Sequence, residues 1–298
     1  VSHRGGAAGP DGLAVVDKPA GWTSHDVVAK ARSLLDTRKI GHSGTLDPDA
    51  TGVLLLGVGK VTRLLRYLGL TTKRYTGVVV LGTATSSLDA SGEVTGTWDM
   101  TSVGLEDVRA VAASLTGDIL QTPPMVSAIQ IDGRRLHELA REGIEVDRPA
   151  RPVTVHEFSV GPAIGPECFP IEVECSSGTY IRSLAADVGT ALGGGAHLRD
   201  LRRTAIGSFA VDEAVALEAL TPGHLLTPAE AMRDLVAVTV DDALAADIAH
   251  GKVLPAEVLG ADGPGPWAVV ASDNTLLAVY EEHRSSTVKP GVVLAAAQ

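Results

Sequence analysis

Residues 41–58 read Gly41-His42-Ser43-Gly44-Thr45-Leu46-Asp47-Pro48-Asp49-Ala50-Thr51-Gly52-Val53-Leu54-Leu55-Leu56-Gly57-Val58. A loop bracketed by glycines thus holds one histidine and two carboxylates, and an apolar run follows it directly. Glycine permits backbone conformations closed to other residues and lets a ligand approach the chain closely. Asp47-Pro48 alone signals only a turn or a helix start, because Asp favours that position and Pro presets φ.

Upstream, the apolar residues 13–16 suggest a buried strand. From Ser24, expected as the N-cap, Val27, Val28, Ala31, Leu34 and Leu35 recur with helical spacing. Downstream, a helix is expected near Lys60 to Leu68 and a strand over Tyr75 to Leu81. Ala90 to Trp98 has hairpin character around Ser91-Gly92, and residues 105–115 resemble a helix. Asp132-Gly133 marks a turn between Ala128–Ile131 and a helix-like Arg134 to Arg141. Val153–Val160 and Phe169–Cys175 are β-rich, and Ser176-Ser177-Gly178 leads into a helix from about Ile181 to Leu192. Strands and helices alternate irregularly, so the fold class is α+β with a mixed sheet, not a doubly wound parallel one.

Past Phe209 the character shifts. Pro222, Pro228 and a helix-like Ala229 to Leu235 lead into a strand-rich segment, in which Trp267–Ala271 and Thr275–Tyr280 form a hairpin candidate across Ser272-Asp273-Asn274. That segment fits a compact β-barrel module. The expected organisation is a flexible Gly-rich tail over 1–11, a catalytic core over 12–228 and a small β-rich domain over 229–298.

The 298 residues are 45% hydrophobic but only 3% aromatic, so Leu, Val, Ile and Ala carry the packing. No apolar run approaches the roughly 20 residues needed to span a bilayer, and residues 1–12 lack the basic-then-apolar order of a secretory signal. A cytoplasmic location is expected. The two cysteines, Cys168 and Cys175, match no zinc or redox spacing and read as reduced structural thiols about 20 Å apart on a strand. Net charge is −11, which argues against a generic nucleic-acid binder. The acidity is uneven, however: residues 205–298 hold 13 Asp and Glu against 4 Lys and Arg, whereas residues 1–204 hold 23 against 21. Basic residues cluster in the earlier part as Arg38-Lys39, Lys73-Arg74, Arg134-Arg135 and Arg199 with Arg202-Arg203, although each pair alone reads as a solvated face.

Three chemistries compete for the loop. Gly57-Val58-Gly59-Lys60 fails as a phosphate-binding loop, which needs Gly where Leu54 stands and Ser or Thr where Val61 stands. A zinc hydrolase fails because His42 has no second His at helical spacing. A glycosidase pair of Asp47 and Asp49 ranks third, since nothing on a loop fixes their separation.

Several motifs then agree in order: Asp17-Lys18-Pro19 with Gly21, the loop Gly41 through Gly52, Lys73-Arg74-Tyr75, Pro123-Pro124-Met125-Val126-Ser127-Ala128 with Asp132-Gly133, Ser177-Gly178-Thr179-Tyr180-Ile181-Arg182, and Gly195-Ala196-His197 leading to Leu201-Arg202-Arg203. Over residues 12–210 the chain resembles the TruB family of tRNA pseudouridine synthases. Val126 departs from the family pattern, which has an aromatic residue there.

The resemblance implies an α+β pseudouridine-synthase core, a C-terminal PUA-like domain that contacts RNA, and conversion of the T-loop uridine at tRNA position 55 without cofactor or metal. It implies Asp47 as the catalytic aspartate, a nucleophile or a base at the sugar that assists C–N cleavage before the uracil rejoins through carbon. Tyr75 matches the platform for the flipped base and a participant in proton transfer. Arg182 is expected to pair with Asp47 and Tyr180 to support that pair, with Thr179 to Arg182 still strand-like so that Tyr180 and Arg182 face one side. His42 is expected to enter the RNA loop, Leu201 to pack on the target base, and Lys18 and Pro19 to brace the catalytic loop. The implied partner is the T-arm stem-loop of tRNA, bound by a monomer away from any membrane. A different class, a tRNA-binding folding factor with incidental catalysis, uses the same basic and stacking residues.

Overall fold

The computed structural model describes residues 9–127, 130–131, 133–136, 142, 144 and 146–295. Residues 1–8 of the expected tail and 137–141 of the expected helix lie outside the described residues. Contacts divide the chain into two compact units, one of residues 1–47, 53–69 and 207–298 and one of residues 48–52 and 70–206. Residues 207–298 thus fall in one unit with the N-terminal segments.

The chain opens with β1 (Gly12–Lys18), α1 (Ser24–Leu34), β2 (Ile40–Ser43) and β3 (Thr51–Val58), followed by a 3-10 turn, Gly59–Leu64, and one helical turn, α2 (Leu65–Leu68). The helix expected over Lys60 to Leu68 is therefore mostly 3-10, with the Thr62 hydroxyl donating to Gly59 O at 2.7 Å. Next come β4 (Lys73–Leu81), the hairpin of β5 (Thr83–Thr85) and β6 (Val94–Thr97), α3 (Leu105–Ser114) and β7 (Gly117–Gln121). Ser91-Gly92 falls in the β5–β6 connection, as its turn chemistry suggests, but the first strand lies before Ala90. Short strands β8 (Gln130–Ile131) and β9 (Arg134–Arg135) pair antiparallel, with Gly133 in a turn before β9; Asp132 of the expected turn lies outside the described residues. Arg134-Arg135 is thus strand rather than helix, held in a ladder with Gln130–Ile131.

The remaining elements are β10 (Arg151–Val160), β11 (Cys168–Cys175), α4 (Ile181–Ala191), β12 (Ala196–Ile206), β13 (Phe209–Ala210), β14 (Val215–Ala216), α5 (Pro228–Ala231), β15 (Val236–Thr239), α6 (Asp242–Ala249), β16 (Leu254–Pro255), α7 (Ala256–Leu259), β17 (Trp267–Val270), β18 (Leu276–Glu282) and β19 (Thr287–Val293). The helix expected over Ala229 to Leu235 stops at Ala231. Beyond it, the Arg233 guanidinium holds Ser208 O at 3.0 Å and lies over the Phe209 ring at 4.0 Å.

Strand pairing is mixed, parallel and antiparallel in each unit, as the irregular alternation of elements implies. In the first unit β1 pairs parallel with β14 and β2 pairs antiparallel with β3. Val27, Val28 and Ala31 of α1 pack there with Ala14, Val16, Leu54 and Leu56, so the 3.6-residue and 2-residue patterns meet in one core. In the second unit β12, β4, β11, β10 and β7 form an antiparallel run, and the first residues of β3 pair parallel with β12. Cys168 and Cys175 are free thiols at opposite ends of β11. The C-terminal strands make a separate sheet in the order β15-β17-β18-β19-β16, the β-rich module expected there. Its core is built on Trp267, Val269, Tyr280 and Ile248. Among the described residues, no helix is long and apolar enough to cross a membrane.

Candidate active site

In the first unit the site begins where β1 ends. Lys18 is fully buried, and its Nζ donates to Pro19 O at 2.9 Å and Trp22 O at 2.6 Å, tying the Pro19–Trp22 turn together. The N-cap of α1 is Thr23, not Ser24. The Thr23 hydroxyl accepts from Asp26 N at 3.1 Å while the Asp26 carboxylate accepts from Thr23 N at 2.9 Å, a reciprocal capping box. Ser24 is thereby released from capping. Its buried hydroxyl accepts from Leu46 N at 3.0 Å and donates to Leu46 O at 3.3 Å. His42 lies on β2 opposite Leu56, with its ring edge-on to His25 at 5.4 Å between centroids. Ser43 Oγ donates to Leu65 O at 3.2 Å. Asp47, half-buried, closes this stretch, and Pro48 after it biases its backbone towards the extended region.

In the second unit Tyr75 sits on β4, only 8% exposed, with Val173 of β11 and Arg203 of β12 as its cross-strand neighbours. β12 bulges between Arg199 and Arg202: Asp200 takes φ 56°, and Leu201 shares its place opposite Gly77. A side chain at residue 77 would come within 3.1 Å of the Leu198 side chain and 3.4 Å of Arg199 O, so glycine there admits the bulge. Bulges of this kind re-aim side chains next to active sites. Leu201 emerges half-buried.

Arg182 and Tyr180 depart from the expected strand. Tyr180 is the extended N-cap of α4, while Arg182 is already in the first helical turn, since the turn at Ser176-Ser177-Gly178 releases the chain into the apolar stripe Ile181, Leu184, Ala185 and Val188. The two therefore do not share one face of a strand. Arg182 is 3% exposed; its Nη1 donates to Ser87 O at 2.7 Å and lies 3.6 Å from the Asp89 carboxylate, and its Nη2 donates to Val126 O at 2.9 Å. The contact at residue 126 is made by the backbone, so the departure to Val leaves it intact. Gln121, also buried, grips Tyr180 through both main-chain groups: Oε1 accepts from Tyr180 N at 2.8 Å and Nε2 donates to Tyr180 O at 3.1 Å.

Of the residues singled out from sequence, Lys18, Pro19, His42 and Asp47 fall in the first unit, and Tyr75, Tyr180, Arg182 and Leu201 in the second. Sequence reasoning missed Ser24, Asp89 and Gln121. Ser24 carried a signal, but a capping one; Asp89 and Gln121 carried none. It also misread two of the basic pairs as solvated faces. Lys73 and Arg203 are buried, whereas Arg74 reaches out to Glu174, because neighbours on a strand point to opposite faces. Burial, with Arg203 adding repulsion, pulls the Lys73 ammonium down to about 8. Burial likewise pushes the Cys175 thiol up to about 11. Among the described residues no group of three or more His, Cys, Asp or Glu could hold a metal ion. The chemistry on offer is a carboxylate on a tethered loop, a buried guanidinium fixed by carbonyls and a carboxylate, and an aromatic ring set in a sheet.

Comparison with known proteins first gives the class. The fold is similar to that in a crystal structure of a Cbf5-Nop10-Gar1 complex, with a TM-score of 0.75 at 26% identity over 97% of this chain and 86% of that one. It is similar also to a structure of an H/ACA RNP bound to a substrate RNA containing 2'-deoxyuridine, with a TM-score of 0.73 at 25% identity over 96% and 86%. Family models then narrow it: TruB family pseudouridylate synthase (N terminal domain) matches residues 32–181, and tRNA pseudouridylate synthase B C-terminal domain matches residues 182–245. Relatives named tRNA pseudouridine synthase B are 47% identical in Streptomyces coelicolor, over 92% of this chain and 94% of the relative, and 48% in Nocardia farcinica, over 91% and 89%. One from Thermobifida fusca is 44% identical over 96% and 99%. The chain belongs to the TruB family of pseudouridylate synthases.

Proposed function

We propose that this enzyme acts on tRNA and isomerises the T-loop uridine at position 55 to pseudouridine. The observation that carries the reading is the near full-length identity, 44–48%, to relatives named tRNA pseudouridine synthase B. In this reading the uridine leaves its stack and Asp47 assists cleavage of the C–N bond. The freed uracil turns over and bonds to the same ribose through carbon, so no atom is gained or lost and no cofactor or metal takes part. Arg182 favours the ionised carboxylate of Asp47 and directs it, a role to which a buried, fixed guanidinium is suited.

Tyr75 and Leu201 receive the base, Tyr180 supports the Asp47–Arg182 pair, and His42 enters the RNA loop, where an imidazole can stack on a base. Lys18 and Pro19 brace the loop. The C-terminal residues 229–298 form a PUA-like domain that touches the T-arm, and the protein works as a cytoplasmic monomer. The direct test is to incubate the protein with an unmodified T-arm hairpin and map pseudouridine by position. Product at the single T-loop uridine equivalent to position 55 is expected; product elsewhere, or none, refutes the assignment.

A further inference from the structure

We infer that Ser24 is a positioning residue for Asp47, holding the reacting carboxylate in place through the main chain of Leu46. The inference rests on the reading of Asp47 as that carboxylate. A serine hydroxyl has one donor and two acceptor sites, and Ser24 uses both kinds on one residue: Leu46 N–H at 3.0 Å and Leu46 C=O at 3.3 Å. The Leu46 carbonyl belongs to the same rigid peptide plane as the Asp47 nitrogen. Fixing that oxygen fixes the plane from which the Asp47 side chain departs. Pro48 restricts the backbone on the other side, so Asp47 keeps little freedom except its own φ and its side-chain torsions.

Three further observations set Ser24 apart from a satisfied core serine. It is 1% exposed and does not cap its helix, a task done by Thr23 one residue earlier. Its neighbour His25 meets His42 at the opposite end of the same loop, so consecutive residues of α1 grip both ends of residues 42–46. Leu46 is itself buried at 4%, which anchors the clamped residue from its side chain as well. The hydroxyl sits in the first turn of a helix packed in the core of its unit, a rigid base for a loop that must hold a reacting group steady.

The test compares full-length wild type with Ser24→Ala, Ser24→Cys, Thr23→Ala and Asp47→Asn in single- and multiple-turnover assays on an unmodified tRNA transcript, with thermal melts of each. Ser24→Ala is expected to lower kcat about ten- to hundredfold with KM within about threefold, because displacement of a reacting group by an ångström costs on that order. Ser24→Cys keeps the packing but offers only a weak donor and acceptor, so it should fall in the same direction, and it supplies the reading if Ser24→Ala does not fold. Thr23→Ala loosens the same helix end without touching Leu46 and should keep the wild-type kcat. An inactive Asp47→Asn with a wild-type kcat for the folded Ser24 variants, or with equal losses in Thr23→Ala and the Ser24 variants, overturns the inference. An active Asp47→Asn overturns the reading beneath it instead.

Discussion

Arg182 carries its charge into the protein interior and meets it with two carbonyl oxygens and the Asp89 carboxylate, all on segments distant in sequence. Arginine suits such a site, because its planar fork serves several acceptors at once where an ammonium acts as a point charge. Arg182→Ala is accordingly expected to reduce single-turnover rate by orders of magnitude while tRNA affinity, measured by filter binding, stays within about tenfold. Equal losses of rate and affinity would contradict its assigned role. At this scale the sequence was readable wherever a residue's role is local. Lys18 binds carbonyls one and four residues on, within reach of motif reading. Asp89 and Gln121 act across 93 and 59 residues of chain, and no spacing rule connects such pairs. Ser24 shows a third case: its residue type announced a helix cap, and a better-placed Thr23 took that role.

At the scale of elements, the start of β3 is set by a glycine no other residue can replace. Gly52 has φ 102°, and a Cβ there would sit 2.1 Å from Arg203 O and 2.8 Å from Arg203 N. Gly52→Ala therefore combines backbone strain with a main-chain clash and should cost about 3 kcal/mol in urea denaturation. Gly178→Ala, at φ 88° with no atom within 4 Å, tests strain alone and should cost only about 1 kcal/mol. Similar losses in the two variants would show that the β3–β12 approach is not tight. The turn at Gly133 and the helix over α3 were legible because turn chemistry and helical period are local signals, whereas the strand that follows the turn was read as helix. The helix from Ile181 was legible for the same reason; what was not was that Arg182, expected still on a strand with Tyr180, lies in its first turn, since the apolar stripe that draws it in matters only once packed.

For the whole molecule, the surplus of negative charge sits outside the stretch that carries the site residues, yet the basic pairs do not all face solvent. Lys73 and Arg203 went unrecognised as core residues because strand alternation sorts neighbours only when both strands and their pairing are known. The buried Lys73 has a consequence for stability. With its ammonium at about 8 in the fold against 10.5 unfolded, the unfolded chain binds more protons between those values. Its penalty is full below pH 8 and is relieved as pH rises towards 10.5. Cys175, at about 11 in the fold against 9.0, acts in the opposite sense above pH 9. Stability measured from pH 8 to 9 should therefore rise more steeply in wild type than in Lys73→Met; parallel curves would show that Lys73 is not titrating in this range. The account as a whole turns on Asp47, and the most direct measurement is the single-turnover rate of Asp47→Asn on an unmodified tRNA transcript, with affinity measured in parallel. We expect pseudouridine formation to fall by about four orders of magnitude or more with binding retained; product appearing at a rate near that of wild type would contradict the account.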